Sequence, residues 1–299
     1  MCLLVLAWQA HPRYRLVVAA NRDEFHERPA APMARWPPPG DLIAGRDLRA
    51  QGTWLGIDRE RRFGVVTNFR ELQSPRPGAP SRGNLIPQYL GAAGLAAAGS
   101  PTAVHSSTPS GPPGTARRAR AGEFFAALEP HAATYSGFNL LLTDADSLWY
   151  GSNRATPFAR RLEPGVYGLS NELLDTPWPK LQRVRASFES WLRRPRSEPA
   201  DAARRALTAE ASAAAELFAL LADRTPAAES QLADTGGLPP ELARPLSAPF
   251  VLHPQYGTRC STVVLLEPAG GLYLAERRFA PDGGPAGESE FVLNPGEWP

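Results

Sequence analysis

The chain has 299 residues, of which 43% are hydrophobic and 21% are charged. This composition allows one large domain or two ordinary ones, with a substantial core. The 32 basic and 30 acidic residues nearly balance, and only residues 117–120 form a short basic patch, so we expect no nucleic acid partner. No run approaches the roughly 18–20 apolar residues of a membrane span, and no signal peptide is recognisable. We therefore expect a cytoplasmic protein.

The two cysteines, Cys2 and Cys260, are too few for a disulfide framework or a cysteine-based zinc site. The five histidines show no paired metal-binding spacing. The sequence thus predicts two free thiols, no metal and no required cofactor.

Short β-rich runs dominate the first seventy positions and predict antiparallel strands at residues 2–8, 16–20, 54–57 and 63–67. Residues 29–41 contain Pro29, Pro32 and three consecutive prolines at 37–39, so they predict a surface loop. A helix is expected at about residues 84–98. The Ala, Gly, Ser and Pro content of residues 99–122 then predicts a disordered insertion.

The second half of the chain mixes hairpins with amphipathic helices. Helices are predicted at residues 123–128, 179–192 and 201–222, a strand at 165–170, and hairpins at 137–143 with 147–151 and at 261–267 with 271–276. Strands, then helices, then strands again indicate two antiparallel sheets covered by helices, not an alternating parallel fold. We therefore expect a single α+β domain over residues 1–299, interrupted by the insertion.

Cys2 is a candidate N-terminal nucleophile because the initiator methionine is normally removed before a small side chain. Residue 2 would then carry a thiol, with a pKa near ~8.5, and a free α-amine, with a pKa near ~7.7–8.0. The amine is well matched to accept the thiol proton, directly or through a water. The alternative interpretation is that Cys2 simply opens a buried apolar strand.

Four polar segments lie where apolar strands are predicted to end or begin. The densest is the run Asn21, Arg22, Asp23 and Glu24 after the second strand, which alternatively forms a turn with a solvated ion pair. Asn68 and Asn171 each follow another strand, and either could cap a turn or donate amide hydrogens to an oxyanion. Arg259 opens a late strand and could lower a thiol pKa, hold a substrate carboxylate or form an ordinary surface ion pair.

These segments belong to a set of motifs that occur in order along nearly the whole chain outside the insertion. The set comprises Cys2, the segment 20–25 with Asn-Arg-Asp-Glu, and the segments 52–56, 67–70, 81–83, 138–140, 169–171, 178–180 and 257–259. In these motifs the chain resembles the NRDE family, which includes the eukaryotic transport and Golgi organization proteins. Roles in haem and acyl-lipid handling have been proposed for members of that family.

The arrangement has a more distant resemblance to the cysteine N-terminal-nucleophile hydrolases, the group of choloylglycine hydrolases and penicillin V acylases. That resemblance implies an αββα sandwich in which Cys2 is the nucleophile and Asp23 orients the α-amine. Asn68 and Asn171 match the two oxyanion positions, and Arg259 matches a late arginine. The group usually has an arginine three residues before its aspartate, but position 20 here is alanine. Arg22 cannot replace it on the same face as Asp23 if the strand is regular.

The candidate residues and the two resemblances predict two alternative functions. In the first, Cys2 attacks a linear amide or thioester and forms an acyl-enzyme that water releases. In the second, the same fold binds and delivers haem or an acyl ligand, with Trp8, Trp54, Phe69 and Trp178 as pocket walls unless they belong to the core. Cys2, His26 and His253 are the suggestive axial ligands for haem. Asn21 and Arg22 are expected binding residues, and the partner is a small molecule in either case.

Overall fold

The computed structural model describes residues 3–38, 40–71, 78–91, 118–194, 202–232 and 240–299. Two antiparallel sheets form the centre of the molecule. The first sheet contains, in spatial order, β10 (Gly165–Leu169), β1 (Leu3–Trp8), β2 (Leu16–Phe25), β11 (Tyr256–Leu266), β12 (Leu272–Phe279) and β13 (Pro285–Leu293). The second contains β3 (Ala30–Arg35), β4 (Leu42–Asp47), β5 (Leu55–Asp58), β6 (Phe63–Asn68), β7 (Phe138–Thr143), β8 (Leu148–Ser152) and β9 (Ala159–Leu162).

Helices cover the outer face of each sheet. The helices are α1 (Leu85–Leu90), α2 (Ala121–Leu128), α3 (Pro179–Leu192), α4 (Ala202–Leu221) and α5 (Pro240–Leu246). Helices α3 and α4 pack on the first sheet, and α1 and α2 pack on the second. The predicted αββα sandwich is therefore confirmed.

Side chains that alternate between the two faces of each strand form three apolar layers, one between the sheets and one beneath the helices on each outer face. In β2, Leu16, Val18 and Ala20 face the second sheet, while Val17 and Ala19 face α3 and α4. Because successive side chains of a strand point to opposite faces, a strand covered on both sides is apolar throughout. The same alternation determines which face of the sheet each polar side chain at the end of β2 lies on.

The main departures from the predicted elements are in the proline-rich segment and in β2. Residues 29–41 were predicted as a loop, which is wrong because they contain β3. This edge strand accommodates Pro32 at a register shift between Ala31 and Ala34, where no ladder hydrogen bond is needed from the proline nitrogen. The Asn-Arg-Asp-Glu run does not follow β2 as predicted but lies within it, because pairing with β11 continues to Phe25 and Tyr256.

The remaining elements agree with the sequence except at their ends. Helix α3 has the predicted bounds, and the three predicted hairpin and strand regions after residue 136 are present. Helix α1 ends at Leu90, before Gly91, and residues 92–98 lie outside the described residues. Most of the predicted insertion also lies outside them, although α2 already begins at Ala121. The short strands β4 and β9 and the C-terminal strand β13 were not predicted.

A close backbone approach positions the turn Arg82–Asn84 against the start of β5. The Thr53 N–H donates to the Gly83 carbonyl oxygen at 3.0 Å. A Cβ on Gly52 would lie 2.5 Å from the Gly83 carbonyl carbon. Glycine at position 52 is therefore required for this contact.

We expect Gly52→Ala to lower the free energy of unfolding by about 1–3 kcal/mol, because the added methyl meets backbone that cannot rotate away. Urea denaturation measures this loss. Gly165→Ala is the matched control, since its Cβ would lie 3.5 Å from the Tyr167 hydroxyl oxygen, an ordinary contact. Equal losses in the two variants would contradict the required close approach.

Candidate functional site

The pleat of β2 divides the Asn-Arg-Asp-Glu run between two faces of the first sheet. Asn21 lies on the helix face, where its Nδ2 donates to the Leu221 and Pro249 carbonyl oxygens, each at 2.9 Å. Arg22 lies on the face toward the second sheet, with its guanidinium carbon 4.2 Å from the centre of the Trp54 ring. Since β2 is unbroken, Arg22 and Asp23 face opposite sides, as the sequence pattern requires.

The first of two adjoining depressions has a volume of about 240 Å³ and brings three predicted catalytic residues together. We call it the asparagine cleft. Its lining residues are Asp23, Asn68, Phe69, Arg70, Glu71, Arg82, Ser136, Asn171, Lys180, Leu246 and Tyr256. Asp23, Asn68 and Asn171 come from β2, from the end of β6 and from the residue pair after β10, so both sheets contribute.

The Asp23 carboxylate is buried and accepts a hydrogen bond from the Thr258 hydroxyl at 2.7 Å. That hydroxyl in turn accepts the Val251 N–H at 2.9 Å. Because the Thr258 hydroxyl oxygen already accepts this N–H, its O–H is directed at Asp23 and fixes the orientation of the carboxylate.

The two cleft asparagines leave amide hydrogens available. The Asn171 Oδ1 accepts from the Ser170 hydroxyl at 3.3 Å and from the Arg70 Nη2 at 3.5 Å, while the Asn171 carbonyl oxygen accepts the Arg70 N–H at 2.7 Å. Within the described part of the chain, neither Asn171 Nδ2 nor the Asn68 side chain donates to a protein acceptor. The geometry thus allows both amides to donate to a bound ligand.

The second depression has a volume of about 310 Å³ and shares Asn68, Arg82 and Ser136 with the first. We call it the arginine cleft. Its lining residues are Arg22, Glu24, Arg28, Asp47, Ala50, Thr53, Trp54, Val66, Asn68, Ala79, Pro80, Ser81, Arg82, Gly83 and Ser136. Trp54, a predicted binding residue, lines this cleft, but Arg22 covers its ring face.

Asp47 organises the charges of the arginine cleft. Its Oδ2 accepts from the Arg28 Nε at 2.5 Å and from the Arg22 Nη2 at 3.4 Å, and its Oδ1 accepts the N–H groups of Arg49 and Ala50. Burial alone would raise the pKa of Asp47, but the hydrogen bonds from Arg28 and Ala50 and the charges of Arg28 and Arg22 lower it below its ordinary value. Asp47 is therefore a fixed anion that holds Arg22 in place.

Arg259 is placed differently from its predicted role. It is the extra residue of a bulge in β11, between Thr258 opposite Asp23 and Cys260 opposite Arg22. Its Nη1 donates to the carbonyl oxygens of Phe25, His26 and Arg28 at 2.9, 3.1 and 3.2 Å. Arg259 lines neither cleft, and these contacts hold the turn after β2.

The predicted aromatic wall is divided between core and cleft. Trp8 is buried between the sheets, and Phe69 lines the asparagine cleft. Trp178 precedes α3 beneath the Arg70 guanidinium, whose carbon lies 5.2 Å from the ring centre. These rings therefore do not combine into an open apolar pocket.

Of the two cysteines, Cys260 is described by the structure and Cys2 is not. Cys260 is fully enclosed in the core between the sheets, and burial, together with the nearby Glu276 carboxylate, raises the pKa of its thiol well above the ordinary value. Such a thiol is a poor nucleophile at neutral pH. Cys2 lies outside the described residues; β1 begins at the next residue, Leu3, which pairs with Asn21.

Sequence reasoning missed several charged lining residues. Arg70, Arg82 and Lys180 all fall inside the ordered motifs of the sequence, but the motif pattern alone does not mark them as site residues. Asp47 had no signal, because β4 was not predicted. Membership in an ordered motif near a strand end was the available clue for the other three.

We expect Asn21 to be a structural residue, because its carboxamide joins three segments. Besides its two donated bonds, its Oδ1 accepts from the Ser261 hydroxyl at 2.6 Å. Asn21→Ala leaves two buried carbonyls and one hydroxyl without this partner, and we expect a loss of about 2–4 kcal/mol in the free energy of unfolding, measured by urea denaturation. The exposed Asn294→Ala serves as the control, and a loss at position 21 no larger than at position 294 would contradict this assignment.

In the described part of the chain, no helix is long and apolar enough to cross a membrane.

Comparison with known proteins places the chain in a family. The chain is 31% identical over 295 residues to the Transport and Golgi organization protein 2 homolog of Bos taurus and 30% identical over 298 residues to that of Homo sapiens. Each alignment covers 93% of this chain and 92% of the relative. The family model described as Transport and Golgi organisation 2 matches residues 1–281, so the chain belongs to that family.

Proposed function

We propose that the protein is an N-terminal-cysteine hydrolase that cleaves a linear amide or thioester through an acyl-enzyme on Cys2. The observation that carries this proposal is the meeting of Asp23, Asn68 and Asn171 in one cleft. A carboxylate and two carboxamides with available donors are the groups that an amine-assisted nucleophile and its oxyanion require.

The start of β1 supports Cys2 as the nucleophile. Leu3 pairs with Asn21, two positions before Asp23 in β2. The pairing of β1 with β2 therefore begins one residue after Cys2 in the sequence and two residues before Asp23. The only sulfur competitor of Cys2, Cys260, is buried with a raised pKa.

The proposed roles follow from charge and hydrogen-bonding capacity. The Asp23 carboxylate accepts a hydrogen bond from the α-amine and keeps it oriented, with Thr258 fixing the carboxylate. The amine takes the thiol proton, and the sulfur forms a bond to the substrate carbonyl carbon. Asn68 and Asn171 donate to the resulting oxyanion, where each donor contributes roughly 2.7–4 kcal/mol to lowering the barrier.

The cycle closes with water. Collapse of the oxyanion breaks the carbon–nitrogen or carbon–sulfur bond, and the leaving amine or thiol takes the proton held by the α-amine. Water then attacks the Cys2 thioester, gives one proton to the α-amine and releases the carboxylic acid with a free thiol. No oxidant, metal or cofactor enters this sequence.

The alternative, a binding and delivery protein for haem or an acyl ligand, has less support from the site. An acyl chain or planar macrocycle favours an apolar pocket, whereas polar and charged side chains form most of the described lining of both clefts. Of the candidate axial residues, His26 shares a hydrogen bond of 3.0 Å with the His253 carbonyl oxygen, and neither histidine lines a cleft. The relatives' names refer to transport and Golgi organization, which describes a cellular role and leaves the reaction open.

We expect Cys2→Ala to abolish turnover while Cys260→Ala preserves it. Alanine at position 2 still permits removal of Met1, so the variant keeps the α-amine and loses only the thiol. Assayed on a panel of N-acyl p-nitroanilides and acyl thioesters, Cys2→Ala should lower kcat/KM at least about a thousandfold, as for the loss of other nucleophiles.

Unchanged turnover in Cys2→Ala would refute the hydrolase, as would the absence of turnover of any member of the panel by wild type. A parallel haem titration distinguishes the alternative. A Soret shift in wild type that is lost in Cys2→Ala would favour haem binding, and identical spectra without a shift would count against it.

A further inference from the structure

We propose that the arginine cleft binds a carboxylate on the acyl part of the substrate, with Arg22 as the residue that recognises it. The inference rests on the proposed function for the position of the reacting carbonyl in the asparagine cleft. It adds a substrate class: amides or thioesters of short dicarboxylic acids.

The two terminal nitrogens of the Arg22 guanidinium differ: Nη2 lies beside two carboxylates, whereas Nη1 has no hydrogen-bond partner among the described residues. Its side chain is 4% exposed, and its Nη2 lies 3.4 Å from the Asp47 Oδ2 and 3.8 Å from the Glu24 Oε2. Among the residues that the structure describes, its buried Nη1 has no hydrogen-bond partner. A buried charged donor left unsatisfied is costly, so this nitrogen is poised for an acceptor that arrives with a ligand.

The orientation of Arg22 is held by more than its charge partners. Its guanidinium plane packs over Trp54, and Asp47 is itself held by Arg28 and two backbone N–H groups. Because the group is already immobilised, binding an anion there costs little further side-chain entropy. Arg22 is therefore preorganised as a donor.

The charge of the arginine cleft matches a single negative charge. Its lining contains the three guanidinium groups of Arg22, Arg28 and Arg82 and the two carboxylates of Glu24 and Asp47. Among the described lining residues one positive charge is in excess, which a carboxylate neutralises and a doubly charged phosphate exceeds. A carboxylate oxygen can accept a charge-assisted hydrogen bond from Arg22 Nη1.

The two clefts adjoin in a way that lets one molecule occupy both. Asn68, proposed to bind the oxyanion, lines both clefts, as do Arg82 and Ser136. A substrate whose carbonyl oxygen is bound at Asn68 can extend its acyl chain toward Arg22. The acyl part is thus distinguished from the leaving group by which cleft it enters.

The experiment compares glutaryl-p-nitroanilide with its terminal carboxamide analogue, which has nearly the same shape but lacks the negative charge and one acceptor oxygen. For wild type, kcat/KM should be higher for the carboxylate by roughly ten- to a hundredfold, the range expected for hydrogen bonds to a charged group. Arg22→Gln should reduce that preference to near unity. Arg22→Lys keeps the charge beside Asp47 but removes the second nitrogen, and it should also lose most of the preference.

Arg49→Gln is the matched control, because Arg49 pairs with the exposed Glu27 and lines neither cleft. It removes the same charge nearby and should keep the preference. Thermal melts verify that each variant is folded. If both Arg22 variants fail to fold, Arg82→Gln replaces them, since it removes another positive charge of the same cleft and should reduce the preference by severalfold.

Binding separates this inference from the hydrolase itself. Calorimetry with Cys2→Ala measures the affinity for the glutaryl and carboxamide anilides without turnover. Tighter binding of the carboxylate that requires Arg22, without wild-type turnover, supports the carboxylate site and refutes the hydrolase. Turnover without a carboxylate preference, a preference that Arg22→Gln leaves intact, or no binding of either probe overturns the carboxylate site.

Discussion

The pairing of β2 with β11 beyond the apolar part of the sheet is the constraint on which the candidate site depends. The ladder continues from Leu16 opposite Leu266 to Phe25 opposite Tyr256. The polar run at residues 21–24 is thereby kept in regular pleated geometry, and each of its side chains is assigned to one face. Asn21 and Asp23 reach the helix layer, whereas Arg22 and Glu24 reach the second sheet.

This division explains how one short run serves several purposes. Asn21 joins β2 to the end of α4 and to Ser261 of β11. Asp23 lies in the asparagine cleft, and Arg22 lies in the arginine cleft with Asp47. The bulge at Arg259 lets β11 follow β2 through this region, and its guanidinium holds the chain where β2 ends. A slip of one residue in register would exchange the two faces and dismantle both clefts.

The fold could largely be predicted from the sequence, because the elements that form it carry clear periodicity. The helix at Pro179–Leu192 and the hairpin of β7 and β8 are examples, since each lies where the spacing of apolar residues predicts it. The prediction was wrong at β3, where the prolines are tolerated only because the strand lies at an edge and bulges. That tolerance depends on the tertiary position of the strand and has no local signal.

The site was predictable in part for the same reason. Asn68 and Asn171 were recognised as residues at strand ends, and the two-sheet architecture brings such ends together. The strand ladder placed Arg22 and Asp23 on opposite faces, as alternation required. The partnership of Arg22 with Asp47 and Trp54 was not predictable, because it joins residues from different sheets through side-chain contacts that no sequence spacing encodes.

The proposed hydrolase requires that Cys2 be the N-terminal residue of the mature protein and carry an activated thiol. Its most direct test is the mass of the N-terminal peptide of purified protein, with and without brief iodoacetamide treatment at neutral pH. We expect Met1 to be absent and Cys2 to be alkylated much faster than Cys260, whose thiol is buried with a raised pKa. Retention of Met1, or alkylation of Cys2 no faster than that of Cys260, would contradict it.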